Sequence, residues 1–371
     1  MSKPPDVEDM PKTAVSRGKL HLQRGEWLTI LLAFALTVLG GIFSAIQLNA
    51  VIIFFLTGAA LALLAALVGQ ATEQLGSYLG PGATGVLQSA LGNLPELFVG
   101  IFALRAGLID VIQSALIGSI LGNSLFVLGL AFFLGGLKHG TQRFDSKAPR
   151  MIANLTLLSV SALVVPTLVQ GLHTPAIGHE VGLSIACAVI LLVIFIASIP
   201  ASMKGESVAV PEEREKPAGW PIWLAIVLLI GAGVGSAFVS DWFVNALTPA
   251  ITFLHISPAF TGLVIVALAG NAVENVVGIQ FALRNQTDFA ISVILNSSLQ
   301  VALGLIPVLV LLSLFIGGPH LTLVMPPLLV AALALTAILS TVITYDGESN
   351  LIEGLTLMGL YGIIAVSFWW G

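Results

Sequence analysis

Long apolar runs, broken by short polar ones, follow each other from Trp27 almost to the C-terminus. A helix needs about 20 mostly apolar residues to cross the hydrocarbon core of a bilayer. Eleven stretches qualify: 27–47, 49–68, 82–104, 111–136, 148–169, 181–201, 220–239, 257–283, 289–316, 322–344 and 351–370. Only the Gln47–Asn49 turn separates the first two. Residues Gln70–Gly80 are too short and polar to span, so they either lie at the interface or prolong the second helix. The expected fold is an all-α polytopic membrane protein of about eleven helices.

Composition agrees with that pattern. Of the 371 residues, 57% are hydrophobic and 9% charged, and the mean hydropathy is +1.03. A soluble chain of this length needs far more charge to cover its surface, so the bilayer is the fitting solvent. The single cysteine, Cys187, excludes a disulfide framework and a cysteine metal cluster. Residues 1–26 are polar, lack the short apolar core of a signal peptide, and read as a disordered cytoplasmic tail.

Charge sets the expected orientation. With the N-terminus inside, Lys3, Lys12, Arg17, Lys19, Arg24, Lys138, Arg143, Lys147, Arg150, Lys204, Arg214, Lys216 and Arg284 are all cytoplasmic. That leaves Arg105 as the one basic residue of 14 outside. Such a bias is the positive-inside rule, and an odd span count then puts the C-terminus outside. The linker 202–219 holds Glu212, Glu213 and Glu215 and reads as a solvated tether or as a regulatory cation-binding surface.

The chain repeats itself. Gly92-Asn93-Leu94-Pro95-Glu96 returns as Gly270-Asn271-Ala272-Val273-Glu274, 178 positions later. The same offset links Asp110 to Asp288 and Ser119 to Ser297. Five-helix units 49–201 and 220–371 are thus expected to be two repeats, preceded by an extra helix, 27–47. An odd number of spans per unit makes the repeats inverted, and transporters built this way place their site near the midplane where the halves meet.

Glu96 and Glu274 fall near the middle of their spans and read as the two acids deep in the hydrocarbon. No Lys, Arg or His is placed at that depth. A lone carboxylate there costs at least about 2.5–3.5 kcal/mol, so a partner must come from outside: a divalent cation, or protons. Mid-span Gly and Pro loosen the helix and free backbone carbonyls. Carboxylates plus carbonyls make an all-oxygen site suited to a hard cation such as Ca²⁺, whereas Zn²⁺ or copper would want His or Cys. The bland reading, two buried packing residues, is weakened by their equivalent positions in the repeat. Ser119 and Asn123, with Ser297, Ser298 and Gln300, either line the same cavity or glue helices together. Asn296 and Gln113 read as packing, and Asp110 and Asp288 as acids at positive helix N-termini.

These motifs resemble the cation/proton exchanger branch of the calcium:cation antiporter superfamily. Gln88–Gly107 is similar to its first repeat motif and Ala269–Leu283 to its second. Ala71–Leu75, Gly118–Asn123 and Ser297–Gln300 resemble the flanking segments. The resemblance implies an eleven-helix fold that binds Ca²⁺ between Glu96 and Glu274 and exchanges it for H⁺. Carbonyls near Gly92 and Gly270 would complete the metal site, with Asn93, Asn271, Ser119, Asn123, Ser297 and Gln300 around them. Three positions depart from the pattern: Asn275 where many relatives have His, Asn296 where Gly is expected, and Gln88 where Asn is usual. The sister sodium/calcium exchangers carry Ser or Thr in place of Asn93 and Asn271, and a further acid where this chain has Val301.

The expected activity is exchange of Ca²⁺ for H⁺ by alternating access, in which cation and protons compete for the two glutamates. Burial and like-charge repulsion favour the protonated carboxyl, so protons can stand in for the metal. The second and seventh spans are the expected gate. The alternatives are an exchanger of the same fold driven by Na⁺ or moving another divalent cation, and a cation channel, although channels usually build acid rings from several subunits. No intramembrane catalytic pair points to an enzyme. No prosthetic group or nucleic-acid partner is expected, and a bacterial plasma membrane is the expected site.

Overall fold

Inside a bilayer the backbone must satisfy its own hydrogen bonds, which an apolar run does as a helix. The structure, a computed structural model, describes residues 22–79, 87, 91–203 and 219–370. Its helices are α1 (Arg24–Ala45), α2 (Ala50–Leu79), α3 (Leu94–Arg105), α4 (Ile109–His139), α5 (Lys147–Gly171) and α6 (Glu180–Met203). They continue as α7 (Ile222–Leu254), α8 (Pro258–Gly270), α9 (Ala272–Leu283), α10 (Thr287–Ile316), α11 (Pro327–Ile343) and α12 (Leu351–Ser367). Seven of these are long and apolar enough to cross a membrane alone. The bent pair α8 and α9 makes an eighth, and α11 and α12 are shorter apolar helices. The chain is an integral membrane protein. Most of the N-terminal tail and linker, and the start of the span expected at 82–104, lie outside the described residues.

Two helices outrun their expected spans. The segment Gln70–Gly80 prolongs α2 as far as Leu79. The seventh span, expected to stop at Val239, runs on to Leu254, so Asp241 sits inside a helix and not in a loop. Beyond the polar pair Ser240-Asp241, the residues Phe243, Val244, Ala246, Leu247, Ala250 and Ile251 are all buried. That packing carries the helix on, past Pro249.

Local chemistry explains the remaining boundaries. Ser257 caps α8 by accepting from Phe260 N–H at 2.9 Å, with Pro258 at the first helical position. Asn350 and Glu353 form a reciprocal capping box at the start of α12. The repeat persists in fine detail. A π-helical turn occupies Gly122–Val127 in α4 and Val301–Leu305 in α10, the same turn of each half. Neither was legible from hydropathy.

The two ends of the bundle are tied separately. At one end, β1 (Gln142–Arg143) pairs antiparallel with β2 (Glu348–Ser349), and Arg143 meets Glu348 at 3.1 Å. The same end holds Asp145, whose N–H donates to Asp288 Oδ1, and Gln74, which accepts from Gly219 N–H at 3.1 Å. At the opposite end Thr167 and Ser184 bond the chain at Leu323 and Met325, and Gln113 donates to the carbonyls of Thr322 and Val324. The helices α2 and α7 lie against each other, with Phe54 and Phe243 stacked at 4.9 Å. Helix α1 rests across both, where Gly40 faces Thr57 and Gly41 receives the Trp242 ring.

Candidate functional site

Each Gly-Asn pair stands where the helix bearing its glutamate begins, as free rotation at Gly and the missing amide of Pro95 lead one to expect. Gly92 and Asn93 form a turn before α3, in which Pro95 takes one of the first two helical positions. Asn271 interrupts the eighth span, and the axes of Pro258–Gly270 and Glu274–Leu283 differ by 66°. Each glutamate consequently lies in the first turn of a half-helix, Glu96 on α3 and Glu274 on α9.

The half-helices bring the two acids within electrostatic reach of each other. Glu96 lies against the other repeat: a Cβ built on Gly270 would stand 2.8 Å from its Cγ and Oε1. Its Oε2 is sealed from solvent and has no hydrogen-bond partner. A buried acceptor left unpaired costs about 1–3 kcal/mol, more when charged. Protonation or a cation relieves that cost. A cavity of about 30 Å³ adjoins Glu96, walled by Leu61, Val99, Ile112, Leu116, Phe243 and Val266, with Ser119 and Gly270 at its polar edge. The apolar walls leave Glu96 little access to water on that side.

Around the acids runs a network joining both repeats. Asn123 Nδ2 donates to Ser297 Oγ at 2.9 Å and to Asn271 Oδ1 at 3.2 Å. Asn271 Nδ2 donates to Ser119 Oγ at 3.0 Å and to Ala267 O at 2.9 Å, and Ser297 Oγ donates to Asn271 Oδ1 at 3.2 Å. Asn93 Nδ2 reaches Gln300 Oε1 at 3.4 Å. Asn271, Asn123, Ser119 and Ser297 are buried. The residues singled out in sequence therefore meet across the repeats, with Gly92 beside Asn93 in the turn.

Other residues stand outside this network. Ser298 pairs with Ser124 at 2.9 Å, as helix glue does, and Ser124 escaped notice beside Asn123. Asn296, read as packing, is exposed although its neighbour Ser297 is buried. Its repeat partner Gly118 sits so close to Leu263 that a Cβ would stand 2.3 Å from the Leu263 carbonyl oxygen. Asn cannot make such an approach. Asn275 Oδ1 is likewise a buried oxygen without a partner. Gln88 lies outside the described residues. Among the described residues no group of three or more His, Cys, Asp or Glu could hold a metal ion.

A helical membrane protein in which two helices that begin at Gly-Asn turns bring acids together has the architecture of a secondary transporter. The chain belongs to the sodium/calcium exchanger protein family, which it matches over residues 49–204 and 224–370. It is 36% identical over 340 residues to a Ca²⁺/H⁺ antiporter of Synechocystis, covering 85% of this chain and 90% of that one. The Ca²⁺/H⁺ antiporter ChaA of Bacillus subtilis is 33% identical over 314 residues, covering 82% and 88%. Among solved structures it resembles native YfkE, with a TM-score of 0.79 and 29% identity over 92% of this chain and 99% of that one.

Proposed function

We propose that this protein exchanges Ca²⁺ for H⁺ across a membrane by alternating access, with Glu96 and Glu274 as the groups that hold cation and protons in turn. The observation that carries the reading is the unpartnered, sealed Oε2 of Glu96, set in electrostatic reach of Glu274 from the opposite repeat. Two acids without a basic neighbour need neutralising from outside. A divalent ion does so once, and two protons do so equally well. Relatives sharing a third of its residues are Ca²⁺/H⁺ antiporters, which favours this pair of substrates.

The exchange balances as follows. Two carboxyl groups release their protons as one Ca²⁺ binds both carboxylates, so both loaded forms of the site are close to neutral. The empty site bears two facing charges in a low-dielectric setting, where repulsion is strong, and resists the switch. Coupling follows from that penalty. Oxygens of the Gly92 and Gly270 turns complete the shell that a Ca²⁺ ion requires, six to eight in number. Asn93, Asn271, Ser119, Asn123, Ser297 and Gln300 set the positions of these turns and are amide and hydroxyl oxygens in reach of the ion. The neutral Gln300 and Val301 leave less negative charge to hold several Na⁺ ions, which supports proton over sodium coupling.

The end that carries Lys138, Arg143, Lys147, Arg150 and Arg284 is assigned to the cytoplasm by the positive-inside rule, with the C-terminus outside, in a bacterial plasma membrane. The units 49–201 and 220–371 then act as the inverted halves, and the linker 202–219 joins them inside. The deciding experiment is ⁴⁵Ca²⁺ uptake into proteoliposomes under an imposed pH gradient. Uptake should follow that gradient, ignore Na⁺ and vanish in Glu96→Gln and in Glu274→Gln. Uptake that requires a Na⁺ gradient would move the coupling to sodium, and uptake surviving both substitutions would place the site elsewhere.

A further inference from the structure

The helix break frees Glu274 from the usual restraint of a continuous span. Its half-helix, α9, is 12 residues long and is hinged at Asn271. A ligand for a metal must be held within about 0.5 Å and 10–20°, so something has to fix the far end of α9. That end is bonded to the chain following α4. Gln142, 2% exposed, donates from Nε2 to Ala282 O at 3.1 Å and to Asn285 Oδ1 at 2.8 Å. Lys138 Nζ and His139 Nε2 each lie 2.9 Å from Leu283 O. Both contacts suit the negative end of a helix. Asn285 has φ +60°, a left-handed conformation that Asn tolerates.

The other half-helix has no such tie among the described residues. The repeat partner of Ala282 is Leu104, at the end of α3. There the backbone N–H of Gly107 bonds Leu104 O at 3.0 Å, and Gly318, the partner of Gly140, passes close to the same oxygen. Among the described residues no side-chain donor at this position corresponds to Gln142. The tie on α9 is therefore not a by-product of the repeat; among the described residues it is present in one half only.

We infer that Gln142, acting through Ala282 and Asn285, is a positioning residue for the cation site: it bolts the end of α9 to α4 and so sets the roll of Glu274 toward the ion. The inference rests on Glu274 being a cation ligand. Partners bonded directly to a metal ligand are typically worth 10–100-fold in metal affinity, and a tie that acts through the end of the ligand's helix is expected at the low end of that range.

The test uses the full chain in proteoliposomes, with ⁴⁵Ca²⁺ uptake measured against Ca²⁺ concentration. Gln142→Leu should raise the half-saturating Ca²⁺ about tenfold while the maximal rate stays within about twofold. Asn285→Asp, which keeps the acceptor, should stay near the native value. Should Gln142→Leu fail to fold, Asn285→Gly, which keeps the backbone and deletes only the acceptor, should still give a rise of about threefold, the worth of one hydrogen bond. Native half-saturation in folded Gln142→Leu and Asn285→Gly, or a loss confined to maximal rate, would overturn the inference. If the native protein transports and Glu274→Gln does not, that failure touches the bolt alone. If the native protein does not exchange Ca²⁺ for H⁺, the proposed function falls first.

Discussion

At the scale of single residues, the glycine opposite Glu96 makes the sharpest prediction. A methyl group at Gly270 would stand 2.8 Å from the Glu96 carboxylate. The Glu96 Cγ lies equally close, so the whole side chain must turn aside, and Gly270→Ala should fold with a modest loss of thermal stability. The displaced acid should nevertheless weaken Ca²⁺ binding by on the order of tenfold, read as half-saturating Ca²⁺ in proteoliposome uptake. Native affinity in that variant would separate Glu96 from the ion. Glu96 and Glu274 stood out in the sequence because an acid in the middle of an apolar run is costly to keep there. The return of the same five-residue motif 178 positions later pointed to the same pair. The partners of Asn123 were not legible. Whether a membrane asparagine lines a cavity or bridges helices depends on which helix faces it, and the bridge to Asn271 spans 148 positions. Gln142 was hidden more deeply. It sits in what reads as a polar loop, and its burial comes from its place in β1, paired with Ser349, and from the α9 end its side chain meets.

At the scale of elements, close backbone contact replaces side-chain interdigitation where α4 crosses α8. Gly118 presses on the Leu263 backbone and Gly262 on the Val111 carbonyl. Small residues permit this approach between membrane helices. Unlike Glu96, the Leu263 carbonyl cannot swing away, so Gly118→Ala should cost about 1–3 kcal/mol, seen as a lower melting temperature of the purified protein in detergent. Unchanged melting would mean that the two backbones have room to part. Helix ends show where hydropathy stops being informative. The polar pair Ser240-Asp241 signalled an exit from the membrane, yet α7 continues because its far half packs against α3 and the Phe243 ring stacks on Phe54. Tertiary contact decided the length, as it routinely overrides local preference. The π-helical turns follow the same rule. That in α10 directly precedes Ile306-Pro307, where the missing amide leaves the ladder open to a wider turn.

At the scale of the whole molecule, basic loops gather at one end and the chain around Leu323 seals the other. Orientation is checked by labelling single cysteines in a Cys187→Ser background with a membrane-impermeant maleimide. Thr141→Cys should react in inside-out vesicles and stay silent in intact cells, whereas His173→Cys should do the reverse. The opposite pattern would invert the assignment. The helical membrane fold was legible from the apolar runs; the ties between loops were not, because they join segments some 140 to 205 positions apart. One consequence reaches past transport. Glu96 comes from the first half of the chain and the glycine beneath it from the second, so the proposed site needs both halves. On that proposal, a chain cut in the linker 202–219 would give two fragments, each without a whole receptacle. The acid and its floor are a shared inheritance, and a change in either repeat must be answered by the other.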